Sequence, residues 1–157
     1  MNLNCPLCNS TATLFCEKPK HLFYKCTNCD GIFRPKDTFL TAEEEKEHYE
    51  KHNNDVFDER YQAFVSPIVN AVLHDFSPEA KGLDFGSGTG PVIAKMLTDK
   101  GYQVQNYDLF FANEVSLLKE KYNYVSCCEV MEHFYQPYKE FELLKSLLLP
   151  KGKLYCK

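Results

Sequence analysis

Two groups of residues in this chain have the types and spacings that chemistry requires. The first is Gly86-Ser87-Gly88-Thr89-Gly90, entered from a short apolar segment (Leu83, Phe85) that carries an acid, Asp84, two positions before the first glycine. Three alternating glycines let a backbone turn sharply and approach a ligand where a Cβ would collide. A helical pattern follows at once (Val92, Ile93, Met96, Leu97), and its N-terminus should offer free N–H groups to that ligand. This is the signature of a cradle for a nucleotide-type cofactor. The dinucleotide fingerprint G-x-G-x-x-G is not matched, because the third glycine comes one position early. Asp84 would repel a pyrophosphate and suits a ligand with an ammonium group. A second acid, Asp108, ends the next apolar segment, 18 residues past Gly90, where a carboxylate can accept ribose hydroxyls.

The second group is Cys5-x-x-Cys8 and Cys26-x-x-Cys29, with 17 residues between the pairs, inside the window for a four-cysteine zinc site. Pro6-Leu7, Asn28 and Asp30-Gly31 mark tight turns at each pair, and three short strand patterns lie around them (11–15, 21–25, 32–34). Two such knuckles closing on one tetrahedral ion make a zinc ribbon, here residues 1–36. About 36 residues form too small a core to fold alone, so the metal should supply the folding free energy. Disulfides are the competing reading of paired cysteines. No apolar leader precedes them, and Cys127, Cys128 and Cys156 remain as single thiols, which favours a reducing cytoplasm. Cys16 reads as a small packed residue.

The hD-x-G-x-G-x-G form, with its acid at the end of the second strand, resembles motif I of the class I S-adenosylmethionine (SAM) methyltransferases. Glu129-Val-Met-Glu-His133, followed by Pro137, is similar to the E-x-x-E-H segment after the fourth strand in many of these enzymes, including those of ubiquinone biosynthesis. The resemblance covers residues 81–157 well and 41–80 loosely. It implies an α/β fold with a Rossmann-like parallel sheet, preceded here by the small β-rich ribbon. It implies SAM as cofactor, with Asp84, Gly86, Ser87, Gly88 and Gly90 around the methionine end and Asp108 on the ribose. Cys128 and Glu129 would lie beside the cofactor, and His133 and Glu132 nearer the acceptor as candidate catalytic residues. His133 could act as general base, since imidazole gains and loses a proton near neutral pH; a helix-capping or core histidine is the alternative.

These groups need elements to position them. Alternating strands and helices after residue 80 imply parallel β-α-β units with the ligand at the carboxyl ends of the strands. Tyr122 to Cys128 reads as a buried strand, Tyr138 to Leu149 as an amphipathic helix (Phe141, Leu144, Leu147, Leu148), and Lys151 to Lys157 as a further strand. Residues 37–80 form a link and N-terminal helices. Thr41-Ala-Glu-Glu44 fits a capping box at the start of a charged helix running to about His52. His48 and His52 share a face of that helix and read as solvated surface. A second helix spans 60–76, with Phe64, Ile68, Val72 and Leu73 apolar, Pro67 kinking it, and Tyr61 a candidate roof residue over the cofactor. The family sheet order is 3-2-1-4-5-7-6. Residues 113–121 leave space for one helix and hardly for a third strand, and the last two strands are missing, so the sequence reads as a piece of a longer chain.

Charge and composition bound the function. With 44% apolar and 25% charged residues the 157-residue chain is ordinary globular material, and no apolar run reaches the ~18–20 residues that cross a bilayer. The net charge is −4, and the ribbon, with five basic and two acidic residues, shows no basic stripe. A nucleic-acid surface is therefore not favoured over a small-molecule acceptor. The reading is a SAM-dependent methyltransferase fused to a zinc ribbon. A non-catalytic ribbon module binding a protein or RNA partner, with a vestigial SAM scaffold, is the alternative; a nicotinamide-dependent oxidoreductase is disfavoured by the glycine spacing.

Overall fold

The computed structural model describes residues 3–19, 21–50 and 55–157, and of His48 the backbone alone. The expected His48/His52 face, and the end of the helix near His52, thus lie outside the described residues. The N-terminal part is an antiparallel sheet of four strands in the order β1-β2-β3-β4: Leu3–Asn4 (β1), Thr11–Lys18 (β2), His21–Cys26 (β3) and Ile32–Phe33 (β4). The first strand has only two residues and carries no periodic signal. A bulge between Leu14 and Cys16 shifts the β2–β3 register and leaves Cys16 half-buried.

Two helices follow. The first, α1 (Ala42–Glu50), begins with the expected capping box: the Thr41 amide donates to Glu44 Oε2 at 2.8 Å, and the Glu44 amide donates back to Thr41 Oγ1 at 3.3 Å. The second, α2 (Glu59–Asp75), starts one residue earlier than its apolar pattern suggests, because the Asp58 carboxylate accepts the Arg60 amide at 2.9 Å. Pro67 cannot donate to the Ala63 carbonyl, and the Ser66 hydroxyl supplies that bond at 2.8 Å. The buried face of α2 is Val65, Ile68, Val69 and Val72. Phe64, expected in the core, sits at the rim, stacked on Tyr61 with the Lys157 ammonium 3.9 Å from its ring centre.

A parallel sheet in the order β6-β5-β7-β8 forms the rest: Lys81–Phe85 (β5), Gln103–Tyr107 (β6), Tyr122–Cys127 (β7) and Leu148–Cys156 (β8). Set against the order that the resemblance implies, 3-2-1-4-5-7-6, this corresponds to 2-1-4-5. Between β6 and β7 the described residues hold an isolated bridge (Asp108 with Ala112) and a 3₁₀ turn, Val115–Lys119, but no further strand. Helices α3 (Val92–Thr98) and α4 (Pro137–Leu147) complete the units. Parallel strands need both faces covered, and they are. One face packs Val65, Val69, Val72, Val92, Leu97 and Tyr124 together; the other packs Leu83, Tyr107, Tyr122, Val125, Leu144 and Leu147.

The packing inside β5 yields a first prediction. A Cβ built on Gly82 would lie 2.1 Å from Cζ of Tyr124, whose ring is wholly buried. Gly82→Ala is therefore expected to lower the unfolding free energy by about 3 kcal/mol, the upper end of overpacking costs. Denaturant titration of the two proteins measures it. A loss under ~1 kcal/mol would mean the Tyr124 ring is free to swing away.

Candidate functional site

Cys5, Cys8, Cys26 and Cys29 come together as the spacing predicts. Their four sulfurs all lie within 4.8 Å of one another, with Cys5 to Cys29 at 3.7 Å and Cys8 to Cys26 at 3.4 Å. A tetrahedral ion with Zn–S bonds of ~2.3 Å sets its ligands ~3.8 Å apart, so the cluster has the dimensions to hold one. The two knuckles are the same turn made twice. The Cys5 amide donates to the Ser10 carbonyl at 2.8 Å and the Cys26 amide to Gly31 at 2.9 Å. The residue after each second cysteine is left-handed, Asn9 at φ 60° and Asp30 at φ 59°. Asn and Asp are the non-glycine residues that tolerate this region best. The Asn28 and Cys29 amides point at Cys26 Sγ at 3.4 and 3.5 Å, as amides do toward a thiolate. Four thiols this close cannot all ionise without a cation among them.

The glycine turn lies at the carboxyl ends of β5 and β6. The amides of Gly86 and Ser87 both donate to the Tyr107 carbonyl, at 2.7 and 3.1 Å, which ties the turn to the end of β6. Gly86 (φ 76°) and Gly88 (φ 64°) are left-handed. At Gly86 a Cβ would meet Val130 Cγ2 at 2.3 Å, whereas at Gly88 no atom lies within 4 Å of that position. The Gly88 amide donates to Asp108 Oδ2 at 2.9 Å, and Asp108 Oδ1 accepts the amides of Phe110 and Phe111 at 2.9 and 3.1 Å. Asp108 thus fastens two loops to each other.

A cleft of about 380 Å³ opens beside this turn. One wall is Gly86, Gly88 and the loop Asp108–Phe111; the opposite wall is Cys128, Glu129, Val130 and His133; Tyr49 and Tyr61 reach in from α1 and α2. Glu129 is left-handed (φ 55°), and the Met131–His133 3₁₀ turn presents His133. Two carboxylates line the cleft, with no lysine or arginine among the described lining residues. Burial, followed by the charges of Glu129 and Asp84, pushes the Cys128 thiol up to about 11, so it stays protonated at neutral pH. Burial likewise raises the Tyr61 phenol to about 12 and holds that of Tyr49 above its usual range, with Glu45 adding to it. A larger hollow of about 900 Å³ lies against the first knuckle, among Leu22, Tyr24, Phe33 and Tyr138, away from the glycine turn.

Of the residues singled out in the sequence, Tyr61, Gly86, Gly88, Asp108, Cys128, Glu129 and His133 line this cleft. Asp84, Ser87 and Gly90 do not; all three are buried. The Asp84 carboxylate, 4% exposed, accepts the Ser126 hydroxyl at 2.7 Å. Burial pushes it up to about 6, and the nearby Asp108 charge adds to the rise. Glu132 is exposed and outside the cleft. The seven-residue α3 contributes no lining residue, so the N–H groups expected from a helix start are not part of the wall. Tyr49, Leu109, Phe110 and Phe111 belong to no motif, and Val130 fills an unspecified position of the 129–133 segment; all five join the walls through the fold. Phe110-Phe111, an apolar pair directly after a strand-ending acid, is the one sequence signal that could have marked them.

A family model described as Methyltransferase domain matches residues 57–157, more than half of the chain. No curated protein matches.

Proposed function

The chain belongs to the methyltransferase-domain family, and from that premise we propose that it transfers a methyl group from SAM to a small-molecule acceptor, with zinc as a structural metal in the ribbon. The charge of the cleft carries the reading. Asp108 and Glu129 line it, and the charge of buried Asp84 reaches the lining Cys128 and Tyr61. No lysine or arginine is among the described lining residues, the Lys157 charge being felt at Cys128 from outside them. A dinucleotide would bring its pyrophosphate against these carboxylates, whereas a sulfonium nucleoside with an ammonium tail is drawn to them. The open space at Gly88 supports close approach of a ligand to the backbone. Asp108 spends three acceptor sites on amides and keeps a lone-pair direction for a ribose hydroxyl.

In this reading Gly86 and Gly88 flank the methionine portion, Asp108 takes the ribose, and Cys128 and Glu129 border the cofactor. Bound SAM supplies an activated methyl group. The chain's own residues hold the two reactants in line and screen them from water, which is where much of the rate of such a transfer arises. Tyr49 and Tyr61, kept as neutral phenols, suit that screening position. The four-thiolate set leaves no open coordination position, as a structural rather than catalytic zinc requires. A net charge of −4, with no basic stripe in the sequence, favours a small acceptor over a nucleic acid. No helix of the described residues is long and apolar enough to cross a membrane.

Isothermal titration of S-adenosylhomocysteine into the full chain tests the cofactor. Saturable binding is expected, weakened about 10- to 100-fold in Asp108→Asn, which gives up bonds to a charged acceptor; NADH should give no heat. Folded protein that takes up no S-adenosylhomocysteine removes the reading.

A further inference from the structure

Glu45 is an unusual member of its helix. Helix α1 is charged along its length, yet the Glu45 side chain is only 12% exposed. It is turned toward the 131–135 turn rather than toward solvent. Its Oε1 lies 3.9 Å from Nδ1 of His133 and accepts the Tyr49 hydroxyl at 3.5 Å. Tyr49, one turn further along α1, sets its ring edge-on to the His133 imidazole with centroids 5.5 Å apart, and on its other side lies 6.5 Å from the Phe110 ring. The 131–135 turn is clamped to the start of α1, since the Tyr135 hydroxyl donates to the Leu40 carbonyl at 2.5 Å and the Tyr135 ring packs edge-on against Phe39 at 5.6 Å. Glu45 and His133, far apart in sequence, are thereby held together at the edge of the cleft.

The geometry points to Glu45 as the positioning residue of His133: its carboxylate holds the neutral imidazole with the proton on Nδ1, leaving the Nε2 lone pair free to take a proton from an acceptor in the cleft. This rests on the methyl-transfer reading and names the acceptor class, a hydroxyl, enol or amine that sheds a proton when methylated. In the balanced step the acceptor lone pair forms the bond to the methyl carbon. The carbon–sulfur pair returns to sulfur, and the acceptor proton goes to His133 Nε2. A separation of 3.9 Å exceeds a hydrogen bond, and catalytic hydrogen bonds in ligand-free sites commonly shorten only when the site fills. The imidazole tautomer is set by what its other nitrogen faces, and Nδ1 faces a carboxylate. Other ionisable groups around the pair are Glu132 on the same turn, Glu140 on α4, Glu43 and Glu44 on α1, Asp108 and Glu129 on the cleft walls, and the phenols of Tyr49 and Tyr135, both of which hydrogen-bond Glu45.

Long-range ¹H–¹⁵N spectra of the histidine rings, taken in base where the rings are neutral and with His133→Asn to assign the signal, decide the matter. The wild-type His133 ring should be mainly the Nδ1–H form. In Glu45→Gln the ratio of that form to Nε2–H should fall about fivefold or more, as loss of a charge-assisted bond implies, and Glu45→Asp should restore part of it. A wild-type ring already in the Nε2–H form, or an unchanged ratio in Glu45→Gln with the α1 amide signals intact, overturns the assignment. Should Glu45→Gln fail to fold, the tautomer of the wild-type ring is sufficient by itself to sustain or overturn it. Titration of S-adenosylhomocysteine into the wild-type protein reads the cofactor separately, so failure of one result is not failure of the other.

Discussion

Stripping the metal with a chelator, or replacing Cys26 by serine, is expected to unfold the N-terminal sheet and leave the parallel sheet standing. The reason is the poverty of the ribbon's core. Among its described residues the buried apolar side chains are Cys5, Ala12, Tyr24 and Cys26, and two of these belong to the four-cysteine cluster. Leu14, Phe15 and Ile32 are more than half exposed. Against the conformational entropy of some thirty residues, at about 1–2 kcal/mol each for the backbone alone, such burial is far too little. A structural zinc contributes on the order of 10–16 kcal/mol, and without it this sheet has nothing comparable. Cys26 is the most informative ligand to replace, because its sulfur also receives the amides of Asn28 and Cys29. Hydrogen exchange reads the outcome amide by amide. Protection across Thr11–Lys18 and His21–Cys26 should vanish with the metal while that of Leu83 and Val125 persists. Full protection of the ribbon in metal-free protein would mean that packing, not metal, holds it.

That ribbon was the most legible part of the sequence, and the physical reason is locality. Each knuckle is set by about six consecutive residues, and its requirement for a left-handed residue after the second cysteine is met by Asn9 and Asp30. The capping box of α1 and the glycine turn are local in the same sense. What could not be read depends on registers between distant segments. Phe64 and Val65 both fit a four-residue period with Ile68, Val69 and Val72, and only the docking of α2 on the sheet selects Val65 for the core. Tyr49 and Glu45 sit in a helix whose composition says solvent, and their burial arises from contact with a turn about ninety residues away. Asp84 is the sharpest case. Its place in the strand was evident, but β5 pairs with β7 so that Asp84 lies opposite Ser126, whose hydroxyl it accepts, and the carboxylate is buried rather than on the cleft wall where the methionine end was expected.

That buried position makes Asp84→Asn a two-sided test. Burial, moderated by the Ser126 hydroxyl and the Ala94 amide, raises the folded carboxyl from 3.8 to about 6. Below about pH 4 the group is protonated in the folded and unfolded chains alike and carries no penalty. Between about 4 and 6 the unfolded chain ionises first, so stability falls as pH rises, and above 6 the loss is complete. Two pKa units correspond to about 3 kcal/mol. Asparagine removes the ionisation but offers Ser126 and Ala94 one neutral acceptor oxygen in place of two charged ones, which returns part of the gain. The ligand-free variant should therefore be about 1–3 kcal/mol more stable than wild type at pH 7 and no more stable at pH 4, as measured by thermal or denaturant unfolding at both values. The same variant should bind S-adenosylhomocysteine at least about tenfold more weakly, because the turn loses the negative potential that favours an ammonium group. Destabilisation at pH 7 with unchanged affinity would instead make Asp84 an anchor for Ser126 and the start of α3, and the counter-charge would then fall to Glu129, the carboxylate on the opposite wall.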